Sequence, residues 1–169
     1  MRVGALLFGL GLLLGAVSPS RAADLVESAP KPVDVAVQDR EGRDLRPIDL
    51  GAKLTLVHFW ASWCGSCRVE FPAIDALQRD LAGEGVRVAA VSLDRLGWPA
   101  IDQTVETLGI RDVTLLHDRN REAAAALAVP GVPTTVVLDG QGREVARLVG
   151  VGDWFDEELR ARLRALAAK

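Results

Sequence analysis

Leu54–Trp60 (LTLVHFW) is almost unbroken in its apolarity and rich in β-branched and aromatic residues, and it runs into a segment of a different period. From Cys64 to Ala82 the apolar residues Phe71, Ile74, Leu77 and Leu81 recur at helical spacing, and Gly83 supplies the stop. A strand with no polar face has to be buried on both sides. The chain must therefore place helices above and below a sheet, with this strand in the sheet's interior. Pro72 falls inside the helix and predicts a bend after its first turns.

The remainder repeats the alternation. Val33–Val37 predicts a short strand, Asp39–Gly42 a turn, Val86–Leu93 (VRVAAVSL) a second buried strand and Pro99–Leu108 a helix ended by Gly109. Val113–Leu116 predicts a short strand, and Asn120–Ala128 an Ala-rich helix with Asn120 as its N-cap. Thr134–Leu138 and Glu144–Val149 flank Asp139-Gly140-Gln141-Gly142, a hairpin signal. Asp153–Ala167 closes the chain as an amphipathic helix with Phe155, Leu159, Leu163 and Leu166 on its apolar side. Helices alternating with strands, followed by a hairpin, define an α/β class: a central mixed sheet with helices on both faces. Trp60 and Trp154 read as packing residues, His117 as a loop residue, and Arg119–Glu122 and Asp156–Arg164 as solvated faces.

The N-terminus reads as an address. Arg2 precedes an uncharged apolar stretch, Val3–Val17, and Ser20 and Ala22 are small residues spaced for a signal peptidase, so residues 1–22 are a signal peptide cleaved after Ala22. Uncleaved, residues 3–17 would be an anchor, although a helix of that length spans only roughly 22 Å of a ~30 Å hydrocarbon core. Residues 23–32 are polar, carry Pro30 and Pro32, and read as a flexible lead-in; residues 33–169 read as one domain. Export would place that domain in the periplasm, where disulfides persist. Membrane contact would come only through the N-terminal segment.

Two counts exclude whole classes. The 169 residues carry 20 Lys and Arg against 23 Asp and Glu, a net charge of −3, so there is no basic footprint for nucleic acid. Two cysteines, Cys64 and Cys67, exclude both a disulfide framework and a four-Cys zinc site within one chain. No metal or cofactor is expected beyond a redox-active Cys64–Cys67 pair.

That pair sits where a buried strand hands over to a helix. Backbone N–H groups left free at a helix N-terminus, together with the positive end of its dipole, favour thiolate over thiol. A free cysteine titrates near ~8.5, and Cys-x-x-Cys thiols in this setting fall to roughly 3.5–7.5. Cys64, at the helix entrance, is the candidate nucleophile. Cys67, one turn on and more buried, is the candidate resolving thiol, which attacks the mixed disulfide on Cys64 and releases the partner. The competing readings are a structural disulfide, half of an intermolecular metal site, and idle thiols. A staple closing so short a loop contributes only about 2 kcal/mol in the chain-entropy model.

Trp60-Ala61-Ser62-Trp63-Cys64-Gly65-Ser66-Cys67, followed by Arg68-Val69-Glu70-Phe71-Pro72, resembles the thioredoxin-like family of TlpA and ResA type. The resemblance runs from about Val33 to Ala167 and includes Val129-Pro130-Gly131-Val132-Pro133-Thr134-Thr135, which matches the family's cis-proline loop. It implies a thioredoxin fold with an N-terminal strand extension and an extra αβ insertion after the second core strand. It implies a cis bond at Pro133, with the backbone of Val132 turned out to pair with an extended target peptide; the alternative is an ordinary rigid loop. Trp63 would pack beside the thiols and form part of the docking surface. Glu70 matches a family Glu that assists proton movement; the alternative is a solvent-facing first-turn Glu. His58 falls where thioredoxin has a buried Asp. It would take the proton of Cys67, or as a cation stabilise a thiolate, or be a core His bonded to a backbone carbonyl. Many relatives carry Pro where this chain has Ser66.

The resemblance further implies an extracytoplasmic thiol–disulfide oxidoreductase that reduces protein disulfides, with apocytochrome c or the copper-site cysteines of cytochrome oxidase assembly as targets. A membrane thiol-transfer protein would recharge it. The Gly-Ser spacer, with no His between the cysteines, agrees with that direction. The alternatives are a protein-disulfide oxidant or isomerase, and a chaperone holding Cu(I) on two soft thiolates. Peroxidase chemistry is disfavoured, because no Thr-x-x-Cys loop is present.

Overall fold

The computed structural model describes residues 22–169, so the leader reading of 1–22 lies, but for Ala22, outside the described residues. Eight strands form one sheet: β1 (Val26–Pro32), β2 (Val37–Gln38), β3 (Asp44–Leu45), β4 (Leu54–Trp60), β5 (Val86–Ser92), β6 (Thr114–His117), β7 (Thr134–Asp139) and β8 (Arg143–Val149). The helices are α1 (Gly65–Leu81), α2 (Trp98–Leu108), α3 (Glu122–Ala126) and α4 (Glu157–Ala167). Strand order is β1-β8-β7-β4-β5-β6-β2-β3. β4 pairs in parallel with β5 and antiparallel with β7, and β5 pairs in parallel with β6, so the sheet is mixed.

β4 is central and fully buried, as its composition requires. Alternation splits it between two cores. Leu54, Leu56 and Trp60 pack with Phe71, Ile74 and Leu77 of α1, Ile101 of α2 and Leu163 of α4. Val57 and Phe59 face the other way, with Val91, Val136 and Leu138, against Ala123 and Ala124 of α3. Trp60 and Phe71 pack at 4.5 Å between ring centroids, tilted by 56°, which ties the end of β4 to the second turn of α1. Burying each such side chain stabilises by about 1.5–3 kcal/mol. α1 runs through Pro72 as one helix. The helix inserted before β6 is α2, which packs on the α1 side of the sheet.

Several expectations need correction. Residues 26–32, read as part of a flexible lead-in, form β1, paired antiparallel with β8. Every residue of β1 is exposed, so it carries no apolar alternation to read, and its prolines are tolerated because it lies at a sheet edge. The strand expected at 33–37 begins only at Val37. Asn120 does not cap α3: the Asp118 carboxylate accepts from Ala124 N at 2.8 Å, while Asn120 donates to Glu122. The last helix starts at Glu157, capped by Asp156, whose carboxylate accepts from Glu158 N at 3.0 Å. Phe155 is therefore outside α4 and 64% exposed rather than on an apolar face. Arg160, placed on a solvated face, is buried, because its Nε donates to the Trp154 carbonyl.

Candidate active site

β4 ends at Trp60, and the chain turns through Ala61–Cys64, closed by Cys64 N donating to Ala61 O at 3.1 Å. Asp94, just beyond β5, holds this turn. Its carboxylate accepts from Ser62 N at 2.8 Å, from Ser62 Oγ at 2.6 Å and from Ser92 Oγ at 2.7 Å. The Asp94 carbonyl in turn accepts from His117 Nε2 at 2.8 Å, so His117 is a buried strand residue and not the loop residue expected. A carbonyl can only accept, which fixes the proton of His117 on Nε2. Two loops at neighbouring strand ends are thus bolted together next in the chain to Trp63, which is left 63% exposed.

Cys64 is the N-cap of α1, with extended backbone (φ −85°, ψ 104°), and its Sγ accepts from Cys67 N at 3.2 Å. Cys64 and Cys67 are joined as a disulfide. Cys64 keeps 7% of its surface exposed and Cys67 none. The Ser66 hydroxyl lies 3.5 Å from Cys64 Sγ and can donate to it. On the other side the Val132 carbonyl oxygen stands 3.7 Å from the same sulfur. The Val132–Pro133 bond is cis. Its loop is braced by Thr134 Oγ donating to Gly131 O at 2.7 Å and by Gly150 N donating to Pro133 O at 3.0 Å.

Glu70 is on the next turn of α1 after Cys67 and points inward, 4% exposed, rather than into solvent. Its Oε2 accepts from Gly152 N and from Trp154 Nε1, both at 2.9 Å. Burial pushes its carboxyl up to about 7, against the opposing pull of those two donors. His58 faces the same space from β4, with its Nδ1 2.9 Å from Thr135 Oγ1 and its Nε2 3.8 Å from Glu70 Oε1. Burial drives His58 down to about 3, which favours the neutral imidazole over the cation. It does not bond a backbone carbonyl.

The structure thus brings Cys64, Cys67, Val132 and Pro133 together and puts His58 and Glu70 in one buried pocket under α1. Sequence reasoning missed Asp94, Thr135, Gly152 and Trp154. Trp154 had a signal: a buried indole N–H usually finds an acceptor. Gly152 is a packing requirement, since a Cβ there would sit 2.9 Å from the Trp154 ring and 3.1 Å from Leu148. Among the described residues no group of three or more His, Cys, Asp or Glu could hold a metal ion.

Residues 28–146 match the AhpC/TSA family. The thiol-disulfide oxidoreductase ResA of Geobacillus thermodenitrificans is 27% identical over 135 residues, 79% of this chain and 74% of that one. The thiol:disulfide interchange protein HelX of Rhodobacter capsulatus is 31% identical over 136 residues, 73% of this chain and 74% of HelX. A candidate thiol:disulfide interchange protein DsbE of Chlorobium tepidum superposes with a TM-score of 0.71 at 26% identity, covering 85% of this chain and 98% of that one. By sequence and by fold, then, this chain belongs to the thioredoxin-like AhpC/TSA family and is a thiol-disulfide oxidoreductase of the TlpA/ResA type.

Proposed function

We propose that the protein reduces disulfides in partner proteins of the cell envelope. In the reduced enzyme the Cys64 thiolate attacks one sulfur of a target disulfide. A Cys64–target bond forms, the target S–S bond breaks, and the second target sulfur leaves as a thiolate that takes a proton from water. Cys67 then loses its proton to the Glu70 carboxylate and attacks Cys64 Sγ. The Cys64–target bond breaks, the target leaves as its second thiolate, and the Cys64–Cys67 disulfide remains. Two electrons have passed from the enzyme dithiol to the target. Trp63 and the Val132–Pro133 backbone form the surface on which an extended target segment lies, in a short form of strand addition.

One observation carries the direction. Among the described residues, the polar groups in hydrogen-bond contact with Cys64 Sγ are uncharged: the Cys67 N–H, the Ser66 hydroxyl and the Val132 carbonyl, whose oxygen repels a thiolate. A strong oxidant of this fold owes its potential to a strongly stabilised reduced form. Here that stabilisation is modest, so the dithiol gives up electrons readily. An equilibrium titration against glutathione or dithiothreitol tests this. The expected potential lies near the thioredoxin end of the range, about −270 mV, and a value near about −120 mV would overturn it in favour of a protein-disulfide oxidant.

The leader-like residues 1–22 and the family resemblance support a periplasmic location, with a membrane thiol-transfer protein as electron donor and apocytochrome c or copper-site cysteines as targets. A reporter fused after Ala23 should be exported; retention in the cytosol would refute the location.

A further inference from the structure

Two buried polar atoms face each other with no hydrogen-bond partner among the described residues: His58 Nε2 and Glu70 Oε1, 3.8 Å apart. Each belongs to a side chain whose other end is anchored. His58 Nδ1 is held at Thr135 Oγ1, and Glu70 Oε2 is held by Gly152 N and Trp154 Nε1. The free ends are therefore aimed and not merely left over. Buried orphans of this kind are rare enough to require a reason.

We propose that His58 and Glu70 form a one-proton dyad, in which the proton that Glu70 takes up sits on Oε1 and is held by the lone pair of His58 Nε2. This rests on the reading of Glu70 as the acceptor for Cys67. Oε2 already accepts two N–H bonds, so an added proton goes to Oε1. An O–H there needs an acceptor, and the polar atom opposite is Nε2 of a neutral imidazole. With Nδ1–H donating to Thr135 Oγ1, Nε2 presents its lone pair. Two acceptors then confront each other when Glu70 is ionised, and a single proton satisfies both. In the resolving step the S–H bond of Cys67 breaks and the O–H bond at Oε1 forms. The electron pair stays on the Cys67 sulfur, which closes the disulfide. His58 is thus a positioning residue: it acts on Cys67 through Glu70.

The groups that face the dyad are few. From β4 comes His58 itself, from β7 the uncharged Thr135, and from α1 Glu70 and the Phe71 ring, 6.1 Å from the imidazole. The segment before α4 contributes the Gly152 N–H and the Trp154 indole, whose ring stands edge-on to His58 at 6.3 Å. The cation nearest these in the chain, Arg160 of α4, has its Nε on the Trp154 carbonyl and its Nη1 on Asp80 at 3.0 Å, and its Nη2 is buried without a partner among the described residues.

The test uses the oxidised full-length protein. Nitrogen-15 NMR of wild type reads the His58 tautomer directly, and carbon-13 NMR of the Glu70 carboxyl reads its titration. The dyad requires Nδ1 protonated and Nε2 bare. It also requires the Glu70 midpoint to fall in His58→Phe, by about one pH unit, because the acid form loses its acceptor. Nε2 protonated, or a midpoint that stays or rises in His58→Phe, would overturn it; the wild-type tautomer decides even if that variant does not fold. A separate arm follows the pH dependence of the resolving step in Glu70→Gln. An unchanged profile there sinks the role of Glu70 itself, whereas a lost inflection with the wrong His58 tautomer sinks the dyad alone.

Discussion

Replacing Glu70 by Gln should stabilise the oxidised protein above neutrality and leave its stability unchanged in acid. The carboxyl titrates near 4.5 when unperturbed and is raised to about 7 in the folded protein. Between those values the folded chain keeps a proton that the unfolded chain releases, so wild-type stability falls as pH rises through the window and levels off above it. Each unit of displacement corresponds to about 1.4 kcal/mol, which puts the full effect on the order of 3 kcal/mol. Gln has no charge to bury. Its amide oxygen can take the Gly152 and Trp154 donors, and its amide N–H can reach toward His58 Nε2. Urea denaturation of both oxidised proteins at intervals from pH 4 to pH 8 should show curves that coincide at the acid end and separate above pH 5, with the variant more stable by about 3 kcal/mol at pH 8. A gap independent of pH, or a wild type that is the more stable at pH 8, would refute the claim that this carboxyl is held against its charge.

Other substitutions probe the supports. Gly152→Ala drives a Cβ against the Trp154 ring and should destabilise by about 1–3 kcal/mol in chemical denaturation, while raising the Glu70 midpoint as its two donors are displaced; an unmoved midpoint would show that the donors do not restrain it. Asp94→Ala strands the Ser62 N–H and hydroxyl, so a loss of at least about 2 kcal/mol and slower alkylation of Cys64 are expected; a change within about 0.5 kcal/mol would make the clamp idle. Trp63→Ala should leave stability within about 0.5 kcal/mol, because the ring is exposed, yet lower kcat/KM toward a protein disulfide at least about tenfold. Turnover of a small aromatic disulfide should not change, and equal losses on both substrates would refute a docking role.

What could be read in advance follows the range of the interactions. The handover from Leu54–Trp60 to α1 is local, and a period change marks it. The hairpin of β7 and β8 is local too, marked by its turn residues. β1 escaped because an edge strand exposed along its whole length leaves no pattern in its own residues; only its partner β8 defines it. The pocket of Glu70 escaped for a similar reason: its donors lie 82 and 84 residues away, and the partner of His58 lies 77 residues on. Asp94 and His117 look like ordinary loop polars until the ends of β4, β5 and β6 are brought side by side. Asn120 obeyed a sound propensity and lost to a carboxylate better placed in space.

The exchange chemistry turns on a difference between two sulfurs only three places apart in the sequence. In the reduced protein, the rate of iodoacetamide labelling at each cysteine, followed by mass spectrometry from pH 5 to pH 10, measures that difference directly. Cys64 should label first with a midpoint below the ~8.5 of a free thiol, while Cys67 stays unlabelled until the protein unfolds. Labelling of Cys67 ahead of Cys64, or a shared midpoint at the free-thiol value, would contradict it.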